Sequence, residues 1–231
     1  ATAYVYLNNS TLNAKGDHVI TVQPISSDAN SLAIIEIVNG SLLNCTSTGS
    51  SGNGMWMNVP SKITIIDSTI KSAKYSGFTT AKDTEIYVEN STIDAVGDAI
   101  LMRRHSYVTI VNSVLNAKGL ALSYNCNNDD AAKGTGKYDA TVTLTNSSLS
   151  SGGTAIYVDD CHTLKSATIT NSSVIAKGYA GIDARCSKDG SKPTPVTIKN
   201  SQIEAITYGI VVNYAADMVV EGSTIESLGK G

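Results

Sequence analysis

Acidic side chains come in two tight pairs in this sequence, Asp129-Asp130 and Asp159-Asp160, each shortly after a tyrosine, Tyr124 and Tyr157, and Arg185 stands further along. Two carboxyls held at a set separation can act as acid and nucleophile or base on a glycosidic bond. Asp130, Asp159 and Asp160 are the residues for that chemistry. The same three could also offer calcium the hard oxygen ligands it takes. Tyrosine adds contact area with a hydrogen-bonding tip. Loop acids are most often simply solvated, so no catalytic residue is assigned. Tyr124, Asp129, Asp130, Tyr157, Asp159, Asp160 and Arg185 are the ligand-binding candidates.

Other chemistries find less footing. Arg103-Arg104-His105 is the one basic cluster, suited to an acidic glycan or to a plain solvated corner. His18, His105 and His162 lack metal-ligand spacing. No Gly-x-Ser-x-Gly element supports a hydrolase nucleophile, and no cofactor is expected. Seventeen basic against 20 acidic residues give a net charge of −3, without the footprint of a nucleic-acid binder. No apolar run reaches the 18 residues or so of a membrane-spanning helix. Ala14-Lys15-Gly16-Asp17 falls on the ordinary repeat described next and carries no separate function.

The elements that must position these residues come from a repeat. A unit of the form apolar-x-apolar-x-Asn-Ser-x-aliphatic recurs nine times, its corner residue being Asn9, Asn39, Asp67, Asn90, Asn112, Asn146, Asn171, Asn200 and Gly222. Aliphatic residues stand four and two places before each corner, as in Val142 and Leu144 or Ala167 and Ile169. Three places after the corner stand Leu12, Leu42, Ile70, Ile93, Leu115, Leu149, Val174, Ile203 and Ile225. Alternation with a period of two marks a strand with one buried face. Asn, Asp and Gly tolerate the left-handed backbone of a sharp corner. Glycine follows seven places on in six units, including Gly97, Gly119, Gly153 and Gly178, and marks a second corner before a short apolar segment such as Ala155-Ile156-Tyr157-Val158.

Three short strands and three turns per unit, repeated with as few as 22 residues between corners, predict an all-β chain. It is a single right-handed parallel β-helix over 1–231, of about nine coils stacked like the units of any solenoid. Excess residues become loops near 24–31, 125–138 and 186–195, leaving one corner side by side. Neither end carries a recognisable cap, and no signal-peptide pattern opens the chain, so a segment of a longer secreted protein is expected.

Coils lie about 4.8 Å apart. Cys126, Cys161 and Cys186 fall on three consecutive coils at one angular position, so Cys161 is expected to pair with Cys126 or Cys186, unless all remain thiols. Cys45 is expected as a buried thiol. Outward strand positions carry Thr64, Thr109, Thr143, Thr168 and Thr197. Only two coils carry paired threonines, so the face suits docking of a glycan or another rod better than an ordered ice-like ladder.

The stretches Ala-Thr-Val-Thr-Leu-Thr-Asn-Ser-Ser-Leu (140–149) and Val-Thr-Ile-Lys-Asn-Ser-Gln-Ile-Glu-Ala (196–205) resemble the passenger domains of bacterial autotransporters, in the style of pertactin-like and antigen 43-like adhesins. The resemblance implies display on the bacterial surface. It also implies adhesion to host extracellular-matrix protein, to glycan or to like molecules on neighbouring cells, without insertion of this segment into a membrane. Polysaccharide lyases, hydrolases and phage depolymerases share the fold. The Asn-Thr-Asp, Gly-His-Gly and Arg-Ile-Lys motifs of polygalacturonase-type enzymes are missing, whereas the acidic pairs with Arg185 imitate a pectate-lyase arrangement. A structural stalk is the third reading.

Overall fold

A computed structural model describes residues 1–24, 31–47, 49, 52–126 and 131–229. Among them run two nine-stranded sheets and one eight-stranded sheet, every strand pairing in parallel with its counterpart in the next coil. This is a right-handed parallel β-helix. The sixth coil shows the plan: Tyr138–Thr145 lies in the first sheet, Ser148–Ser151 in the second and Ile156–Val158 in the third. Among the described residues no helix is long and apolar enough to cross a membrane.

The corner between the first and second sheets is set by residue type. All eight Asn and Asp corner residues have positive φ, between 47° and 56°, and Gly222 takes φ 57°. The short side chains also tie coils together: Asn146 donates from Nδ2 to Asn112 Oδ1 at 3.1 Å, and Asn171 does the same to Asn146. Beneath them runs a second, buried row. Each backbone N–H of Ser68, Ser91, Ser113, Ser147, Ser172 and Ser201 donates to the serine Oγ of the following coil, at 3.0 to 3.1 Å. Each of these hydroxyls in turn donates to the carbonyl two residues before it, as Ser147 does to Thr145 at 2.8 Å. Small size fits the bend, and the hydroxyl satisfies an N–H that water cannot reach.

Ser147→Ala therefore strands the buried N–H of Ser113. A loss of about 1–3 kcal/mol is expected, read from the denaturant midpoint, and a midpoint equal to the wild type would contradict this role.

Inside the rod the aliphatic columns are continuous: Ile63, Ile86, Val108, Val142, Ala167 and Val196 are stacked and buried, as are Ile65, Val88, Ile110, Leu144, Ile169 and Ile198. The second coil departs from the expected pattern. Gly40 (φ 80°) is inserted between Asn39 and Ser41, which pushes the register on by one. Leu43, not Leu42, pairs with Leu12 and fills the core, while Leu42 faces outward beside Thr11. In the ninth coil Met218, Val220 and Ile225 are more than a third exposed.

Among the second-corner glycines, Gly97, Gly119 and Gly178 serve close approach, whereas Gly229 has open space around it and takes φ 51°. A Cβ on Gly178 would lie 2.7 Å from the Gly152 carbonyl oxygen and 2.8 Å from Gly153 Cα. The insertions do share one corner, between the third and first sheets. The described parts of the first two join Ile20–Val22 to Leu32–Val38 and Leu122–Tyr124 to Tyr138–Thr145. The last joins Ala180–Arg185 to Thr194–Lys199, so Pro195 already belongs to a strand.

Candidate functional site

Where the third sheet hands over to the first, coils five to seven carry the ligand-binding candidates singled out above. Asp129 and Asp130 lie outside the described residues. The others divide into a sealed knot and an open face.

The knot is built around Asp159. Cys126 and Cys161 are joined in a disulfide with their Cα atoms 6.1 Å apart. With Ala132 and Tyr138 they form a small apolar cluster under the loop, separate from the main core. Cys186 is packed into the main core instead, as a free thiol that burial makes harder to ionise. Cys45 is likewise buried and free. Both Asp159 carboxylate oxygens accept backbone N–H bonds, Oδ1 from Cys161 at 3.0 Å and Oδ2 from Cys126 at 2.9 Å. Oδ1 also lies 2.6 Å from Nδ1 of the fully buried His162. Nε2 of His162 is 3.3 Å from the Arg104 carbonyl oxygen, so both ring nitrogens face oxygens.

This corrects two expectations. Asp159 is not a free carboxylate, because backbone donors and an imidazole already engage its oxygens, although it also edges the cavity described below. Tyr124 is not a ligand contact either. Strand alternation turns it inward with Leu122, its ring meets His162 edge-on, and its hydroxyl donates to the Thr141 carbonyl at 2.7 Å. Full burial pushes its phenol far above the ordinary range. The basic cluster is also committed to rings: Arg103 lies over Trp56, and Arg104 over Tyr138.

The open face lies on the outside of the third sheet. Ile156 and Val158 point inward, so Tyr157 points outward, half-buried. Register places Asp183 directly beside it on the next coil and Asn213 beside Arg185 on the one after. Tyr157, Asp159, Asp160, Asp183, Arg185 and Asn213 line a shallow cavity of about 250 Å³. Burial raises the Asp183 carboxyl, against the opposing pull of Arg185. Burial, then the charges of Asp159, Asp183 and Asp160, raises the Tyr157 phenol. The Arg185 guanidinium is held from beyond by the Tyr214 ring, 5.8 Å away. Asp183 and Asn213 were missed in the sequence: register pairs Asp183 with Tyr157 and Asn213 with Arg185, but an equal count from the preceding corner lands one residue off in each case.

A solenoid with a polar, aromatic-edged cavity on one outer face is a rod that presents side chains at fixed intervals along its length. Residues 5–138 and 133–231 match the family described as the right-handed β-helix region, and the chain belongs to that family. Comparison with curated proteins and with solved structures returns no match.

Proposed function

We infer that the chain is a binding rod of the adhesin type, displayed outside the cell in the manner of an autotransporter passenger. It holds a surface glycan or a glycan-bearing matrix component at the cavity around Tyr157. The observation that carries this reading is the convergence of Tyr157, Asp160, Asp183, Arg185 and Asn213 from three coils onto one open face. A half-buried aromatic offers a flat contact for a sugar ring. Carboxylate, amide and guanidinium groups around it can bond hydroxyls, the usual make-up of a site with few placed polar groups. The Cys126–Cys161 disulfide supports a place in an oxidising compartment.

A screen against glycans and matrix proteins tests the reading. Tyr157→Ala is expected to weaken the best ligand at least about tenfold, a loss of 1.4 kcal/mol or more, with the melting temperature little changed. Undiminished binding by that variant would move the site elsewhere.

One observation favours a second reading, in which the same cavity cleaves a glycan. Asp183 is a carboxyl raised by burial, and such a group can serve as a general acid, with Asp160 as the second carboxylate across the cavity.

A further inference from the structure

The cavity around Tyr157 is not alone on the described surface. A furrow of about 580 Å³ runs along the outside of the second sheet, where no chemistry was expected from the sequence. One bank is the outward column of the four-residue strands. Pairing stacks Asn44, Lys71, Asp94, Asn116 and Ser150 in register across five successive coils. The other bank rises where each chain leaves the sheet for its next turn and includes Lys118 and Lys177.

Two features define what fits. The first is charge. Lys71, Lys118 and Lys177 face a single carboxylate, Asp94, and Asp94 Oδ1 already accepts a bond from Asn116 Nδ2 at 2.8 Å. A chain of net charge −3 thus concentrates positive charge in this groove. The second is spacing. The three lysines belong to the third, fifth and seventh coils, Lys71 on one bank and Lys118 and Lys177 on the other. Successive lysines thus stand two coils apart along the rod axis, roughly 10 Å at the strand spacing of a sheet. Amide and hydroxyl groups of Asn44, Asn116 and Ser150 stand among them. Among the described residues that line it the furrow holds no Trp, Tyr or Arg, the residues that usually anchor a protein partner. A hydroxyl-rich strand with periodic negative charge suits this surface better than a folded one.

We propose that the furrow is a second binding site, which takes an acidic polysaccharide running along the rod axis with one carboxylate per two-sugar repeat. The lysines pair with successive carboxylates, and the amides and serine bond the hydroxyls between them.

The test uses the whole chain and oligosaccharides of hyaluronan, which carry one uronate per two sugars. Dextran serves as the neutral control, polygalacturonate as the control with a carboxylate on every sugar, and polyglutamate as the acidic peptide. Wild type is expected to bind hyaluronan with an affinity that falls as salt rises. The exposed triple variant Lys71→Ala/Lys118→Ala/Lys177→Ala is expected to lose at least about tenfold of it, or 1.4 kcal/mol, with an unchanged melting temperature. The triple variant is expected to bind the glycan that Tyr157→Ala weakens as tightly as wild type does, since none of its three lysines lines the cavity around Tyr157, which keeps the two sites separable. Equal binding of dextran, tighter binding of polygalacturonate or polyglutamate, an unaffected triple variant, or no hyaluronan binding would each overturn the proposal.

Discussion

Asp159→Ala is expected to lower stability by about 3–5 kcal/mol, the usual cost of removing one member of a buried ion-paired or hydrogen-bonded set. The carboxylate is the common acceptor for the N–H groups of Cys126 and Cys161 and the near neighbour of His162 Nδ1. Cys126, Cys161 and His162 are all buried, so water does not replace what is lost. In a chain of this size the melting temperature should fall by on the order of 10 °C. Asp160→Ala, at a half-exposed neighbouring position, should change stability by no more than about 0.5 kcal/mol. Thermal unfolding followed by circular dichroism separates the two, and an Asp159→Ala protein that melts with the wild type would remove the hub from the account. Loss of any activity in an Asp159 variant is therefore evidence about folding at this corner, not about a catalytic acid.

Opening the Cys126–Cys161 bridge should have a comparable effect. The bond closes a loop with a sequence separation of 35, for which the chain-entropy relation gives about 4 kcal/mol. Cys161→Ser should accordingly unfold at a lower denaturant midpoint. Reductant should lower the midpoint of the wild type to a similar value and leave the variant where it is. Thiol titration of the unreduced protein in denaturant should count two thiols, from Cys45 and Cys186. A count of four, or a wild-type midpoint indifferent to reductant, would contradict the bridge.

The fold was legible because one short motif repeats with its chemistry intact. Each Asn or Asp corner named in the sequence has the left-handed backbone expected of it, and Leu144 and Ile169 stack in the core as alternation requires. The misplacement of Leu42 has a local cause. Gly40 adds a residue inside the corner, and counting forward from Asn39 assumes that none is added. Tyr124 was misread although the signal was present: Leu122 points inward, so a residue two places on must follow it. Asp183 and Asn213 were less accessible. A parallel sheet puts equivalent positions of successive coils side by side, but the count from corner to third strand changes by one between these coils. The partners of Tyr157 and Arg185 therefore follow from the register and not from counting.

The fate of Asp159 was of another kind. Its partners Cys126 and His162 are brought to it by loop geometry across a sequence distance of 33 residues in one case, and no periodicity encodes that. The pairing of Cys161 with Cys126 over Cys186 likewise depends on which thiol the loop buries beside it. Angular position alone leaves both partners open.

The central functional claim is that the third-sheet face binds a glycan without cleaving it. Reducing-end release, followed over time with the glycan that binds wild type best, tests this most directly. Release at the level of a protein-free blank, alongside binding that Tyr157→Ala weakens, is the expected result. Steady release of reducing ends by wild type, abolished in a correctly folded Asp183→Asn variant, would show a glycan-cleaving enzyme in place of an adhesive rod.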